Sequence, residues 1–284
     1  MEGEVKGGIG LHARRIIAYI VLVFITVLCL FWFYILFVNA TRNHGQIQMG
    51  FSPIPGTNLL KNWHSLMTST QPVWNGLFNS VFIAACSAAL TVYFSTMTAY
   101  AIHVYRFKGR AFIFTFILAV MMIPTQVTAL GFYRQMLDWD LLDSYIPLIV
   151  PSIAAPAVFF YMKQYMESSL PLEIIEASRI DGAGEFYTFN RIVIPIMKPA
   201  IAVQAIFTFV TSWNNYFLPA LLLTKAKMKT LPIMIAEMRT SDFLNFNMGQ
   251  VYMMMAFAIL PVIVVYLILS KHIVQGVALG SVKG

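Results

Sequence analysis

The chain has 284 residues, of which 59% are hydrophobic and only 11% are charged. A soluble domain averages about 45–50% apolar and about 25% charged residues, so this composition excludes an ordinary soluble protein. The net charge of +7 would suggest nucleic acid as a partner in a soluble protein. In an apolar chain it is better explained by Lys and Arg in loops that orient membrane spans. We therefore predict an all-α polytopic membrane protein that has the lipid bilayer as a partner and does not bind nucleic acid.

Six apolar segments are long enough to cross a bilayer, which takes about 20 helical residues. The first is longer than the apolar region of a signal peptide, about 7–15 residues, so we predict a retained helix. Pro124 interrupts the third segment. The six spans form one predicted domain, 16–270, between an N-terminal segment, 1–15, and a C-terminal tail, 271–284; they cover residues 16–38, 77–101, 111–132, 144–162, 196–223 and 251–270.

The distribution of positive charge predicts the orientation of these spans. Six spans place both termini on the same side of the membrane. If that side is cytoplasmic, the inside segments hold twelve Lys and Arg residues and the outside segments hold seven. The positive-inside rule then favours cytoplasmic N- and C-termini. A cluster of Lys225, Lys227 and Lys229 between the fifth and sixth spans runs against the rule.

The sequence carries few residues that could perform chemistry. It contains no GxxxxGK[ST], HExxH or GxSxG motif and no His/Cys cluster with metal-ligand spacing. Cys29 and Cys86 lie in apolar segments and are predicted to be packing residues rather than a disulfide or metal ligands. The spans hold essentially no ionisable residue away from their ends, whereas ion-coupled carriers need such residues in the membrane. A secondary carrier and a membrane-embedded enzyme are therefore disfavoured, no cofactor or metal is predicted in the chain, and the energy source is expected in another subunit.

Neutral polar and aromatic residues within the spans suit a pathway for hydroxyl-rich solutes, because amides and rings bind sugars without charge. Such residues also form hydrogen bonds between helices for packing alone, and both interpretations stay open. The aromatic residues near the end of the fifth span are equally compatible with an interfacial anchor. The candidate pathway residues are Asn79, Tyr93, Gln126, Gln204, Thr208, Trp213, Asn214, Asn215 and Tyr216.

A polar, charge-dense segment lies between the fourth and fifth spans, at residues 168–195. Its apolar spacing predicts two short amphipathic helices joined by a turn. Pro171 is placed where a first-turn proline is tolerated. The run Asp181-Gly182-Ala183-Gly184 ends the first helix, and Gly182 is predicted to take a positive φ. On pattern alone, a connector between two spans is as well supported as a docking element.

This segment resembles the EAA loop of ABC-importer permeases, the element that docks into a cytoplasmic ATPase. The order and spacing agree over about thirty residues, which is more specific than a lone short motif. Serine replaces alanine at the third position of the motif. The residues that carry the resemblance, and that it implies couple the chain to the ATPase, are Glu176, Ala177, Ser178, Asp181, Gly182, Ala183, Phe186, Ile192 and Pro195.

Other motifs resemble the shorter, G-type permease subunit of maltose-type carbohydrate importers. They are Phe78-Asn79-Ser80, Ala99-Tyr100-Ala101, Phe107-Lys108-Gly109-Arg110, Thr230-Leu231-Pro232 and the C-terminal segment from Gly276 to Gly284. The resemblance implies a type I importer permease (MetI-like) fold with a cytoplasmic coupling helix, in the inner membrane of the cell. It also implies four kinds of partner: a second, paralogous permease, two ATPase subunits that hold ATP and Mg, an extracytoplasmic solute-binding protein and a sugar substrate.

The resemblance also implies individual roles. Glu176 is expected to pair with an ATPase arginine, and Gly182 to form the turn of the coupling helix. The loop 224–250 corresponds to one that probes the binding protein, and Lys283-Gly284 to a tail that reaches the ATPases. A passive loop and a frayed terminus are the alternatives. For the substrate, the lysines of the outer loop leave an anionic oligosaccharide or glycerol phosphate as an alternative to a neutral sugar.

Overall fold

The structure is a computed structural model that describes residues 8–240 and 246–281, and within these ranges it contains helices and turns but no strand. The α-helices are α1 Gly8–Ala40, α2 His44–Gln48, α3 Leu59–Met67, α4 Val73–Val104, α5 Arg110–Val120, α6 Thr125–Asp138, α7 Ile146–Ile149, α8 Pro156–Ser169, α9 Leu172–Ile180, α10 Glu185–Thr188, α11 Ile194–Ile196, α12 Lys198–Trp213, α13 Phe217–Leu222, α14 Leu231–Arg239 and α15 Met248–Ser281. Two 3₁₀ turns, Val150–Ile153 and Ala226–Met228, and a π-helical turn, Phe189–Val193, complete the elements.

Four helical stretches of the described chain are long and apolar enough to cross a membrane, and the number rises to six if each of two bent pairs is one span. One bent pair is α5 with α6, which turn by 92° at the break before Pro124. The other joins residues 185–196 to α12 at an angle of 81°. Proline removes a backbone donor and clashes with the preceding turn, which explains the break at Pro124. The predicted all-α, multi-span class is confirmed.

The chain divides into two compact units. The first comprises residues 1–69 and 238–257. At its centre the guanidinium of Arg42, which is only 7% exposed, donates to Asn39 Oδ1 and the Gly50 carbonyl at 3.1 Å each, and also to the Gln46 carbonyl. The Asn62 amide donates to the carbonyls of Ala40 and Arg42 at 2.9 Å. These bonds order the segment after α1, which lies between the first two predicted spans.

The second unit, residues 70–237 and 258–284, is built on α4. This helix packs against α8 and α12, and its small residues permit close approach. Ala99 on α4 is fully buried, as are Met162 and Met166 on α8. Phe189 and Val193 of the π-helical turn belong to the same apolar core. The core therefore joins α4 directly to the segment that precedes α12.

Two predicted segments differ from the helices in the structure. The predicted loop 224–250 contains the 3₁₀ turn Ala226–Met228 and α14, while residues 241–245 lie outside the described residues. Helix α15 continues through the predicted polar tail to Ser281. Lys283 and Gly284, which the resemblance assigned to an ATPase contact, also lie outside the described residues.

Candidate functional site

The turn between α9 and α10 closes as a Schellman motif. Gly182 has φ +79°, and its N–H donates to the Arg179 carbonyl at 3.0 Å. The Ala183 N–H donates to the Ser178 carbonyl, also at 3.0 Å. Both bonds satisfy carbonyls that the end of α9 leaves open, and the left-handed φ requires glycine at position 182. The predicted glycine turn is therefore present in the structure.

Ser178 joins the two arms of this hairpin, which we define as residues 172–196. Its hydroxyl lies 2.7 Å from the Thr188 hydroxyl, and both residues are buried. Buried hydroxyls are costly unless they are paired, so each of the two requires the other. This hydrogen bond explains the serine at the third motif position, because an alanine could not form it.

The Glu185 carboxylate connects the hairpin to α4. Its Oε1 accepts a hydrogen bond from Arg179 Nε at 2.7 Å, and its Oε2 accepts one from the Tyr100 hydroxyl at 2.9 Å. The Tyr105 hydroxyl also lies close to the carboxylate, and the Arg179 guanidinium lies 5.5 Å from the Tyr105 ring centre. The nearby Tyr105 hydroxyl is the main reason that the pKa of Glu185 is lowered, and Arg179 and Tyr100 lower it further against the effect of burial.

A second bond ties the hairpin to α4 about two turns further along. The Tyr93 hydroxyl donates to Asn190 Oδ1 at 3.3 Å, and the Tyr93 ring lies edge-on to Phe189 with ring centres 5.6 Å apart. Asn190 also donates to the Phe186 carbonyl at 2.9 Å. These residues lie in or beside the π-helical turn, and such turns are frequent at functional sites. These contacts form a second connection between the hairpin and α4, apart from the one through Glu185.

The tip of the hairpin exposes apolar side chains. Ile180 is 86% exposed and Phe186 is 72% exposed, and Tyr187 is also exposed. Glu176 lies nearby on the edge of a concavity of about 390 Å³ that Tyr105 and Arg106 help to line. Within the described residues the Glu176 carboxylate forms no ion pair. An exposed apolar tip beside an uncompensated carboxylate suits a docking surface.

The remaining predicted coupling residues lie elsewhere along the same hairpin. Ala177, Asp181 and Pro195 are exposed, while Ala183 and Ile192 are half-buried. Phe186 is exposed and does not belong to the apolar core that holds Phe189. The structure thus brings all nine predicted residues into one hairpin, and their coupling role stays a prediction.

A groove of about 1010 Å³ lies in the second unit, bordered by α4, α6, α12 and the turns around α7. No Asp, Glu, Lys, Arg or His is among the residues that line it. The polar lining residues are Ser87, Thr91, Thr125, Thr128, Gln135, Ser152, Gln204, Thr208, Thr211, Ser212 and Asn215.

Three of the nine predicted pathway residues, Gln204, Thr208 and Asn215, line this groove. The other six do not line the groove, and several of them contact other parts of the chain. The buried Asn79 amide donates to the carbonyls of Lys227 and Lys229 at 2.9 and 3.0 Å. Tyr93 bonds to the hairpin, and the ring of buried Trp213 stacks on Phe209. Gln126, Asn214 and Tyr216 are exposed.

Sequence reasoning did not single out Thr125, Gln135, Ser152 or Ser212 as groove residues. Two of them lie at helix breaks: Thr125 directly follows Pro124, and Ser152 lies in the 3₁₀ turn Val150–Ile153. The signal that could have indicated them is the interruption of an apolar span, since irregular backbone at membrane depth is tolerated where it lines a cavity.

Asp143 holds the segment that follows α13 through three hydrogen bonds. Its carboxylate accepts bonds from the Thr224 N–H at 2.6 Å, the Thr224 hydroxyl at 2.8 Å and the Lys225 N–H at 3.0 Å. The bond from the Lys225 N–H is the leading reason that the pKa of Asp143 is lowered. Lys229 pairs with Glu237, and Lys225 Nζ lies 3.9 Å from Asp143. Two of the three clustered lysines are therefore compensated by carboxylates.

Apolar spans, an uncharged groove and a surface hairpin bonded to a spanning helix together define a multi-pass membrane transport protein. Residues 91–279 match the family described as binding-protein-dependent transport system inner membrane component. The match covers more than half of the chain, which therefore belongs to this family and is a permease component of an ABC importer.

The chain is 36% identical over 226 residues to the arabinooligosaccharides transport system permease protein AraQ of Bacillus subtilis, with 78% of each chain covered. It is 32% identical over 267 residues to the sn-glycerol-3-phosphate transport system permease protein UgpE of Yersinia enterocolitica, covering 92% of this chain and 95% of that one. A chain in the crystal structure of a bacterial ABC transporter involved in the import of the acidic polysaccharide alginate aligns with a TM-score of 0.78. The alignment covers 95% and 99% of the two chains at 20% identity, so it shows the fold.

Proposed function

We propose that this chain is one of two different permease subunits of a sugar or oligosaccharide importer in the inner membrane, with both termini cytoplasmic. The partners in this proposal are a paralogous permease, two ATPase subunits that bind ATP and Mg, and an extracytoplasmic binding protein. The relative named for arabinooligosaccharides supports a sugar as the solute. The chain itself supplies no ATPase activity in this proposal.

The observation that carries the proposal is the hairpin with its exposed Ile180 and Phe186. Apolar side chains at the tip of a polar surface element lower the free energy when they enter a cleft in another protein. The unpaired carboxylate of Glu176 would then meet a cation of the ATPase. Closure of the two ATPases moves the hairpin, and the bonds from Tyr100 and Tyr93 carry that movement into α4.

Purification from native membranes through an N-terminal tag tests the proposal. The expected result is recovery of an ATPase and of a second, different permease. Phe186→Asp is expected to lose the ATPase while it retains the second permease. Leu60→Asp is the matched control, because Leu60 is also an exposed apolar residue, 80% accessible, but lies on α3 outside the hairpin. Recovery of the chain alone, or an ATPase that is retained equally in both variants, would contradict the proposed docking.

Inhibitors separate the proposal from an ion-coupled carrier. An ATPase-driven importer is expected to lose uptake in the presence of vanadate, whereas an uncoupler of the proton gradient should leave uptake in proteoliposomes unchanged. The reverse result would favour a carrier.

The relative named for sn-glycerol-3-phosphate keeps an anionic solute as a second candidate. Such a solute would need cations along its route. Lys229 and Lys225 are compensated by Glu237 and Asp143, and the groove is uncharged. These observations favour the neutral sugar.

A further inference from the structure

One polar stripe on α12 faces the uncharged groove. Gln204, Thr208, Thr211 and Asn215 follow one another at intervals of four, three and four residues. At 3.6 residues per turn, these positions lie on a single face of a helix. All four line the groove, although Asn215 lies just beyond the end of α12. The buried residues Ile206, Phe209 and Trp213 occupy the opposite face.

Within the described part of the chain, the four side chains of this stripe form no hydrogen bond. Other threonines on the spanning helices behave differently. Thr96 donates to the Val92 carbonyl at 2.6 Å, and Thr91 donates to the Ser152 carbonyl at 2.7 Å. Packing between helices of this unit therefore does not explain the polarity of the stripe. The hydroxyl and amide groups of the stripe face the groove, where a polar occupant can form hydrogen bonds with them.

The chemistry of the groove restricts that occupant. Hydroxyl and amide groups donate and accept hydrogen bonds but offer no charge to compensate a carboxylate or phosphate. A buried anion without a cation is strongly disfavoured. An uncharged molecule with many hydroxyl groups satisfies the stripe without that penalty, and the apolar lining suits the faces of sugar rings.

We propose that the stripe of Gln204, Thr208, Thr211 and Asn215 is a direct binding wall for an uncharged saccharide, so that this subunit itself contacts the solute and rejects acidic ones. The proposal rests on the proposed importer function and specifies the substrate class of its pathway.

The test uses the complete importer in proteoliposomes with saturating amounts of loaded binding protein. The probes are neutral pentose oligosaccharides and uronic-acid oligosaccharides of the same length. We expect ATP-dependent uptake of the neutral probe alone. Gln204→Met, Thr208→Val and Thr211→Val are each expected to lower uptake about fivefold, the effect of losing one hydrogen bond to the solute. The number of ATP molecules hydrolysed per sugar transported should rise in these variants, because transfer of the sugar from the binding protein into the groove fails more often.

Thr26→Val is the matched control, because the exposed Thr26 hydroxyl bonds only to the Leu22 carbonyl of its own helix. Its uptake is expected to equal that of the unmodified importer. Equal uptake of the acidic probe, or stripe variants that behave like this control, would overturn the binding wall while leaving the importer function intact. Loss of the second permease from purified stripe variants would show that the stripe packs against that subunit. This result would also overturn the binding wall. Absence of ATP-dependent uptake for both probes would reject the importer function itself.

Discussion

The Tyr100 hydroxyl donates a 2.9 Å hydrogen bond to Oε2 of Glu185, which joins α4 to the first residue of α10. Because Oε1 of the same carboxylate is held by Arg179 on α9, one side chain ties three helices together. Charge-assisted hydrogen bonds are shorter and stronger than neutral ones, so the carboxylate restrains the hairpin against α4. α4 also lines the groove through Ser87 and Thr91. The carboxylate therefore lies on a continuous path from the exposed tip of the hairpin to the groove.

Glu185→Gln is expected to weaken the coupling of ATP hydrolysis to transport without preventing assembly of the complex. The amide has one acceptor oxygen in place of two and carries no charge, so Arg179 and Tyr100 can no longer each donate to a carboxylate oxygen of their own. We expect ATP hydrolysed per solute transported to rise about three- to tenfold, while the ATPase still co-purifies. Glu173→Gln is the matched control, since Glu173 is an exposed carboxylate on α9 that forms no ion pair within the described residues. An unchanged stoichiometry in Glu185→Gln would show that the bond to α4 carries no movement.

Gly182→Val is expected to distort the hairpin through its backbone alone. An added Cβ at position 182 meets nothing within 4 Å, so the penalty comes from φ +79° and amounts to about 1–2 kcal/mol or more for a β-branched residue. Gly184 offers a close control, because an added Cβ also meets nothing there and φ is −69°. We expect Gly182→Val to lose most transport and Gly184→Val to keep it, as measured by uptake per assembled complex. Equal uptake by the two variants would contradict the left-handed turn.

The local features of the chain were readable from the sequence, and the pairings between distant residues were not. The apolar segments and the turn at Gly182 depend on neighbouring residues, so their patterns predicted them. The bond between Tyr100 and Glu185 joins positions 85 residues apart, and neither residue carries a local signal for it. The groove shows the same limit. The spacing of Thr208 and Thr211 predicts that they share a face, but only the packing of α12 on α4 decides that this face borders the groove while Trp213 is buried.

Ser178→Ala, which would restore the alanine of the motif, is expected to destabilise the hairpin. The change leaves the Thr188 hydroxyl buried without its partner, at a cost of about 1–3 kcal/mol. The double variant Ser178→Ala with Thr188→Val removes both hydroxyls and is expected to recover much of that loss, because neither polar group then remains unpaired. Thermal unfolding of the purified complex, with hydrogen exchange of the hairpin amides, measures the coupling between the two sites. Additive losses in the double variant would show that the two hydroxyls do not depend on each other.

Asp143→Asn is expected to loosen the segment that follows α13. Asparagine tolerates the left-handed backbone at this position, where φ is 53°, so the change affects mainly the bonds from Thr224 and Lys225. We expect the exchange of these two amides to become about tenfold faster, because they lose a charged acceptor. Asp138→Asn, which neutralises another carboxylate at the end of α6, should leave this exchange unchanged.

The same carboxylate predicts a dependence on pH. The pKa of Asp143 is lowered in the folded chain, so its stabilising contribution is fully present above the ordinary value of 3.8. This contribution is lost as the pH falls below 3.8 and through the folded-state pKa, because the protonated carboxyl no longer accepts all three bonds. Exchange at Thr224 and Lys225, corrected for its intrinsic pH dependence, should stay slow from neutral pH down to about 4. It should then accelerate in the unmodified chain but not in Asp143→Asn. Loss of protection already between pH 7 and 5 would contradict a lowered pKa, since a carboxylate with a raised pKa would release the segment in that interval.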